Sequence, residues 1–186
     1  MSAEMLDAVD NVFANANRLI AGVSETQWEA QTPCTDWNVR ELVNHMAGTT
    51  QVLAGSATRT PPTIAPDADH LGDDPAGAFA GFARATSAAW RNEGVLEGMT
   101  TVPAEMPAIA ALGVNIIDIG THCWDLAEAT GQDHGLSAEM IAIIDDWNRK
   151  IISDDIRSRG GFGEIISEVD GGGLAGMLAF VGRDAG

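Results

Sequence analysis

The 186-residue sequence has no tyrosine, only two cysteines, and a single lysine (Lys150) among ten basic residues. Each shortage excludes something. Two cysteines, Cys34 and Cys123, can close one disulfide at most, so no disulfide framework holds the chain together. In a reducing compartment they read as free, mostly buried thiols. The ten basic residues stand against 27 acidic ones, a formal net charge of −17. So little positive charge makes a poor partner for phosphate backbones or anionic lipid, which argues against nucleic-acid and membrane-surface roles. No stretch approaches the ~20 uninterrupted apolar residues of a membrane span. The start, MSAEMLDAVDNVF, lacks the basic beginning and apolar run of a secretory signal. A cytoplasmic protein is the expectation. The remainder, 45% hydrophobic and 20% charged, is the composition of a globular domain able to bury a core.

The periodicity that is present is helical. Leu6, Val9, Phe13, Ala16 and Ile20 recur at spacings of three and four, which predicts an amphipathic helix over 5–21. Ser24 to Gln27 has the form of a capping box before a short helical turn. Thr35 or Asp36 is placed to cap a helix over 38–47 that carries Val39, Leu42, Val43 and Met46 on one face. The stretch from Gly48 is weaker: its start could extend that helix, but Thr60-Pro61-Pro62 and Pro66-Asp67 break any regular element and predict a surface loop over 58–73. Asp74-Pro75 then pairs a cap with proline at the first helical position, and Phe79, Phe82, Thr86 and Trp90 carry that helix toward Gly94.

Residues 95–105 read as an extended linker. A long helix follows over 107–129, with Gly131 as its stop. Ser137 caps another, whose stripe is Met140, Ile143, Ile144, Trp147 and Ile151. The tail holds a Gly160-Gly161 break, a short strand at 164–169 and a last helix at 174–181. With no internal repeat and no second-domain boundary, the expectation is one all-α domain over 1–186, a four-helix bundle with a short appended C-terminal segment.

Three polar residues stand where a bundle wants apolar ones. Asp118 and His122 are spaced i, i+4 on the long helix, so their side chains meet. His45 lies beside the apolar stripe of the second helix. If these helices pack together, two imidazoles and a carboxylate converge, a three-ligand set with open coordination positions of the kind found in catalytic zinc and non-haem iron sites. The alternative is an ordinary ion pair or a core hydrogen bond. Asp125, three residues beyond His122, either orients a ligand or faces solvent. Cys34, before a helix start, is a candidate reactive thiol; Cys123 points about 100° from His122 and reads as core. Trp37 and Trp124 pack the core or line a pocket, and His70 and His134 fall in loop-like, exposed sequence. Arg157 and Arg159 meet an anionic ligand or pair with Asp154 and Asp155.

Residues 33 to 45, Pro33-Cys34-Thr35-Asp36-Trp37-Asn38-Val39-Arg40-Glu41-Leu42-Val43-Asn44-His45, resemble the PC-x-x-W…H segment of the mycothiol-dependent maleylpyruvate isomerase-like proteins. These belong to the DinB-like superfamily of four-helix bundles. Asp118-Ile119-Gly120-Thr121-His122-Cys123-Trp124-Asp125-Leu126-Ala127, followed by Ala129 and Gly131, resembles the same family's second motif. Phe162-Gly163 and Leu178-Ala179-Phe180-Val181-Gly182-Arg183 are similar to the tail of its members. The resemblance implies a DinB-like bundle holding a divalent metal on His45, Asp118 and His122. Zinc is favoured, with nickel or iron as alternatives. It implies mycothiol as a thiol cofactor and a transferase or isomerase reaction on a small electrophile. Asp118 stands where the isomerase uses the longer glutamate, and the isomerase's larger C-terminal part is not matched, so maleylpyruvate itself is not the expected substrate. The competing class is a non-catalytic metal-binding or ligand-sensing bundle. Partners are then a small-molecule thiol and its electrophile, with a homodimer as the superfamily habit.

Overall fold

Helix α1 (Ser2–Ala21) buries Val9, Val12, Ala16 and Leu19 along one stripe, the face that its three-and-four spacing dictates. A 3-10 turn follows at Glu25–Gln27, with the reciprocal Ser24–Gln27 capping box in place. The computed structural model describes residues 2–35, 37–63, 65, 68–158, 162–166 and 172–184. The described chain divides into two compact units, Met1–His134 and Gly135–Gly186.

In the first unit, α2 (Val39–Thr58), α3 (Pro75–Trp90) and α4 (Ala108–Thr130) join α1. Both α1 and α2 pack against both α3 and α4, the neighbour pattern of a four-helix bundle. The expected four-helix bundle is therefore the one observed. Its core includes Phe79 on α3, edge-on to Phe13 of α1 at 6.3 Å and 71°. Trp90 is sealed from solvent, and its Nε1 donates to Asn115 Oδ1 of α4 at 3.3 Å. Helix α4 is buried nearly all round over 115–127, as the central element of a bundle must be. Gly131 ends it in the left-handed conformation at φ 66°, where a β-carbon would be strained.

Helix α2 corrects the expected cap. Its cap is Asn38 rather than Thr35, and Asp36 lies outside the described residues. Asn38 Oδ1 accepts from Glu41 N at 2.9 Å, while Glu41 Oε2 accepts from Asn38 N at 2.9 Å. This reciprocal pair satisfies two N-terminal donors at once. Replacing Asn38 with alanine is expected to cost about 1 kcal/mol in chemical denaturation, the usual value of an N-cap. The helix runs on through the weaker stretch after Ala47 to Thr58, the extension that the sequence left open. Gly48, Thr49, Thr50 and Gly55 are poor helix formers alone. Packing overrides propensity: Leu53 is buried, and Ser56 Oγ donates to Val102 O at 2.5 Å. Arg59 ends the helix at φ 56°.

Asp74 caps α3 through Gly77 N at 3.0 Å with Pro75 at the first position, as expected. The linker before α4 forms a two-stranded antiparallel hairpin, β1 (Met99–Thr100) with β2 (Met106–Pro107).

The second unit holds α5 (Ala138–Ile151), α6 (Asp154–Ser158) and α7 (Leu174–Phe180), with α5 against α7. Ser137 caps α5 as expected. Its buried stripe is Met140, Ile141, Ile144 and Asn148, while Ile143, Trp147 and Ile151 are half-buried. The inward face is thus rotated from the expected one. Residues 164–166 form no strand; 167–169, like Arg159, Gly160, Gly161 and Gly171, lie outside the described residues. Arg157 donates to Gly163 O and Phe180 O and lies over the Phe180 ring at 4.6 Å. Among the described residues no helix is long and apolar enough to cross a membrane.

Candidate metal centre

His45 sits two turns into α2, and Asp118 and His122 occupy successive turns at the middle of α4. The packing of α2 on α4 brings all three together. Asp118 Oδ1 lies 3.2 Å from His45 Nε2 and 3.8 Å from His122 Nε2. The three ligand atoms fall within 4.8 Å of one another. Two such atoms bound to one tetrahedral zinc at its usual bond lengths sit about 3.3 Å apart, close to the 3.2 and 3.8 Å from Asp118 Oδ1 to the two imidazole nitrogens. Their side chains are 32%, 16% and 9% exposed for His45, Asp118 and His122, which leaves access from the His45 side.

The electrostatics point the same way. Burial alone lowers the pKa of His45, but the charge and hydrogen bond of Asp118 outweigh it and raise the value above 6.5. Burial alone raises that of Asp118, and the His45 imidazole outweighs it and holds the carboxyl below its ordinary range. The His45 imidazole and the Asp118 carboxylate thus favour each other's charged forms. The other Asp118 oxygen, Oδ2, is buried with no hydrogen-bond partner. A buried carboxylate oxygen left without a donor costs energy, and a cation held by the two imidazoles would relieve it. The residues therefore fit a divalent ion.

Support around the cluster was only partly legible in the sequence. Asp125, left open between ligand orientation and solvent, is fully buried, and its Oδ2 accepts from His122 Nδ1 at 2.8 Å. That is the carboxylate–histidine arrangement that fixes a metal-binding tautomer. Trp37 stacks on His45 with centroids 4.4 Å apart and lies 5.9 Å from His122, so it walls the centre. Trp124 is core. Thr49 Oγ1 lies 3.4 Å from His45 Nε2; its spacing of four from His45 was the available signal. Cys123 is sealed in the core, where burial pushes its pKa up to about 12. Cys34 reaches Asp125 across 91 residues of chain, a contact no local pattern announces.

His70 corrects the expectation of an exposed loop histidine. It is 7% exposed, with Nδ1 2.8 Å from Gln51 Nε2 and its backbone N donating to Asn44 Oδ1 at 2.8 Å. The loop after α2 thus folds back on that helix. Beside it a cavity of about 510 Å³ is lined by Trp37, Arg40, Glu41, Asn44, His45, Ala68 and Asp69. His134 is half-buried and stands apart from the cluster, its backbone oxygen accepting from Asn15.

Proton competition gives a test of His45. Because its metal-free pKa is raised, zinc affinity is expected to begin falling at a pH above 6.5. Below that range it should fall about tenfold per pH unit, one proton being exchanged at His45 per metal. Competition with a chromophoric chelator between pH 8 and 5.5 measures the slope; a flat profile removes His45 from the ligand set.

Fold and cluster together define a four-helix bundle with a two-histidine, one-carboxylate centre between two of its helices. Residues 9–127 match the family model of the mycothiol maleylpyruvate isomerase N-terminal domain, and the chain belongs to that family. The matched region includes His45, Asp118 and His122. Two uncharacterised proteins from two strains of Mycobacterium tuberculosis are each 32% identical over 127 residues. Those matches cover 66% of this chain and 65% of each relative, so the chain spans just under two thirds of their length. The crystal structure of the mycothiol-dependent maleylpyruvate isomerase superposes with a TM-score of 0.64 at 17% identity, covering 89% of this chain and 74% of that one. A histidine-to-alanine mutant of the enzyme gives a TM-score of 0.68 at 16% identity over the same shares. At these identities the structures establish a shared fold.

Proposed function

We propose that the protein is a zinc- and thiol-dependent transferase or isomerase acting on a small electrophile, with mycothiol as its thiol. The observation that carries the reading is the convergence of Asp118 Oδ1 with two imidazole nitrogens, 3.2 Å from His45 Nε2 and 3.8 Å from His122 Nε2, while Oδ2 of the same carboxylate is buried without a hydrogen-bond partner. His45, Asp118 and His122 would hold the ion; nickel or iron would suit the same nitrogen and oxygen donors. A bound divalent ion lowers the pKa of a thiol and so supplies a nucleophile near neutral pH.

The chain's own residues do the rest. Asp125 keeps the His122 proton on Nδ1 and so leaves Nε2 turned to the centre. Trp37 stacks on one face of the His45 ring and fixes its orientation. The cavity beside His45 is lined by Arg40, Glu41, Asn44 and Asp69, held in place by one another and by the backbone: Arg40 donates to Asp69 and Gly72 O, and Asn44 donates to Ala68 O and accepts from His70 N. Family membership supports the thiol class, and the ligand types support zinc.

The test is loss of thiol titre when mycothiol and an unsaturated diacid or alkylating electrophile are mixed with the protein. Acceleration is expected with the zinc-loaded chain and not after chelation or with His45→Ala. Acceleration that survives chelation overturns the metal's role. Metal binding without turnover for any thiol would instead make the bundle a metal-dependent sensor.

A further inference from the structure

Cys34 lies half-buried in the loop before α2 and forms no disulfide. Its Sγ donates to Asp125 Oδ2 at 3.6 Å, and the same oxygen accepts from His122 Nδ1 at 2.8 Å. The three polar atoms lie within 4.8 Å of one another. Asp125 itself is fully buried, so it depends on protein donors rather than water to stay in place. A neutral imidazole carries one ring proton. On His122 an acceptor-only carboxylate at Nδ1 puts the proton there and leaves the Nε2 lone pair toward Asp118 and His45. Cys123, one residue from His122, has no part in this: its Sγ faces Val12 O in the core.

We propose that Cys34 is a positioning residue: its S–H, acting through Asp125, holds His122 in the Nδ1–H tautomer that turns Nε2 to the ligand centre. The proposal deepens the metal reading above and rests on it for its consequence, but the tautomer is a property of the metal-free chain. Removing the S–H frees Asp125 Oδ2 from one of its donors, and the clamp on the ring loosens. Direct outer-shell partners of ligating histidines change metal affinity by roughly 10- to 100-fold. Cys34 stands one bond further out, so a loss of about 3- to 10-fold is expected from the same reasoning.

The experiment compares wild type, Cys34→Ala and Cys34→Ser by long-range nitrogen–proton correlation spectra of the metal-free chain, with His122 assigned by its disappearance in His122→Gln. Zinc affinity and the visible spectrum of the cobalt-substituted protein are measured beside it, and thermal melting verifies that each variant folds. Wild type and Cys34→Ser are expected to hold His122 as the Nδ1–H tautomer. Cys34→Ala is expected to give a tautomer mixture, weaker zinc binding and an altered cobalt spectrum, with serine restoring all three. An alanine variant that keeps the tautomer and the affinity within about twofold, well inside that range, overturns the proposal. So does a serine variant as impaired as alanine at equal melting temperature, because then the sulfur and not its hydrogen bond matters. A thiolate-to-cobalt charge-transfer band lost in both variants would make Cys34 a ligand and overturn it likewise. Wild type that binds no zinc defeats the metal reading, while the tautomer spectra still decide the role of Cys34.

Discussion

Replacing His122 with alanine is expected to drop bound zinc from about one equivalent to below a tenth of one. Outer-shell substitutions set a floor of roughly 10- to 100-fold in affinity, and the loss of one of three protein ligands exceeds it. His45 and Asp118 would remain, 3.2 Å apart, but a histidine–carboxylate pair alone competes poorly with free chelators. The substitution also leaves the fully buried Asp125 carboxylate without its 2.8 Å partner, a defect worth about 1–3 kcal/mol. Asp118→Asn is the companion variant, since it keeps side-chain size and removes the charge. Elemental analysis of untagged protein, before and after incubation with zinc and gel filtration, reads the result. Wild type that stays metal-free under both conditions would show that the cluster is an ion-paired core feature, and the enzymatic reading would go with it.

The largest loss of stability is expected from Phe79→Ala, about 3–5 kcal/mol. Phe79 is fully buried on α3 and meets Phe13 of α1 edge-on at 6.3 Å. Its removal forfeits both the transfer of the ring from water and the packing around it, and the backbone of a closed bundle cannot collapse into the void. Since whole domains are stable by only about 5–15 kcal/mol, the variant should unfold at a markedly lower urea concentration. Met99→Ala is the control: Met99 is 47% exposed, and its truncation should stay within about 0.5 kcal/mol. If the two variants unfold together, α3 does not seal the core as described.

Much of the bundle was legible because local rules and packing agreed. The Ser24 capping box, the Asp74-Pro75 start, the Ser137 cap and the Gly131 stop each formed where the sequence placed them. Helix α2 shows where local rules lose. Its second half is rich in glycine and threonine, yet it stays helical because Leu53 and Ser56 are held by the surrounding structure. At its start, threonine and aspartate looked like caps, but only Asn38 has Glu41 three residues on to complete a reciprocal box.

The site divides the same way. Helical periodicity by itself determined that Asp118 and His122 share a face and that Cys123 leaves it, because 3.6 residues per turn fixes those angles in any fold. The motif around His45 indicated the third member. Tertiary structure alone decided that His45 Nε2 comes to 3.2 Å from Asp118, that Trp37 stacks on His45, and that Cys34 reaches Asp125. It also decided that His70 is buried against Asn44 and Gln51. Each of these depends on where a loop or a second helix lies in space, and no spacing along one element encodes that.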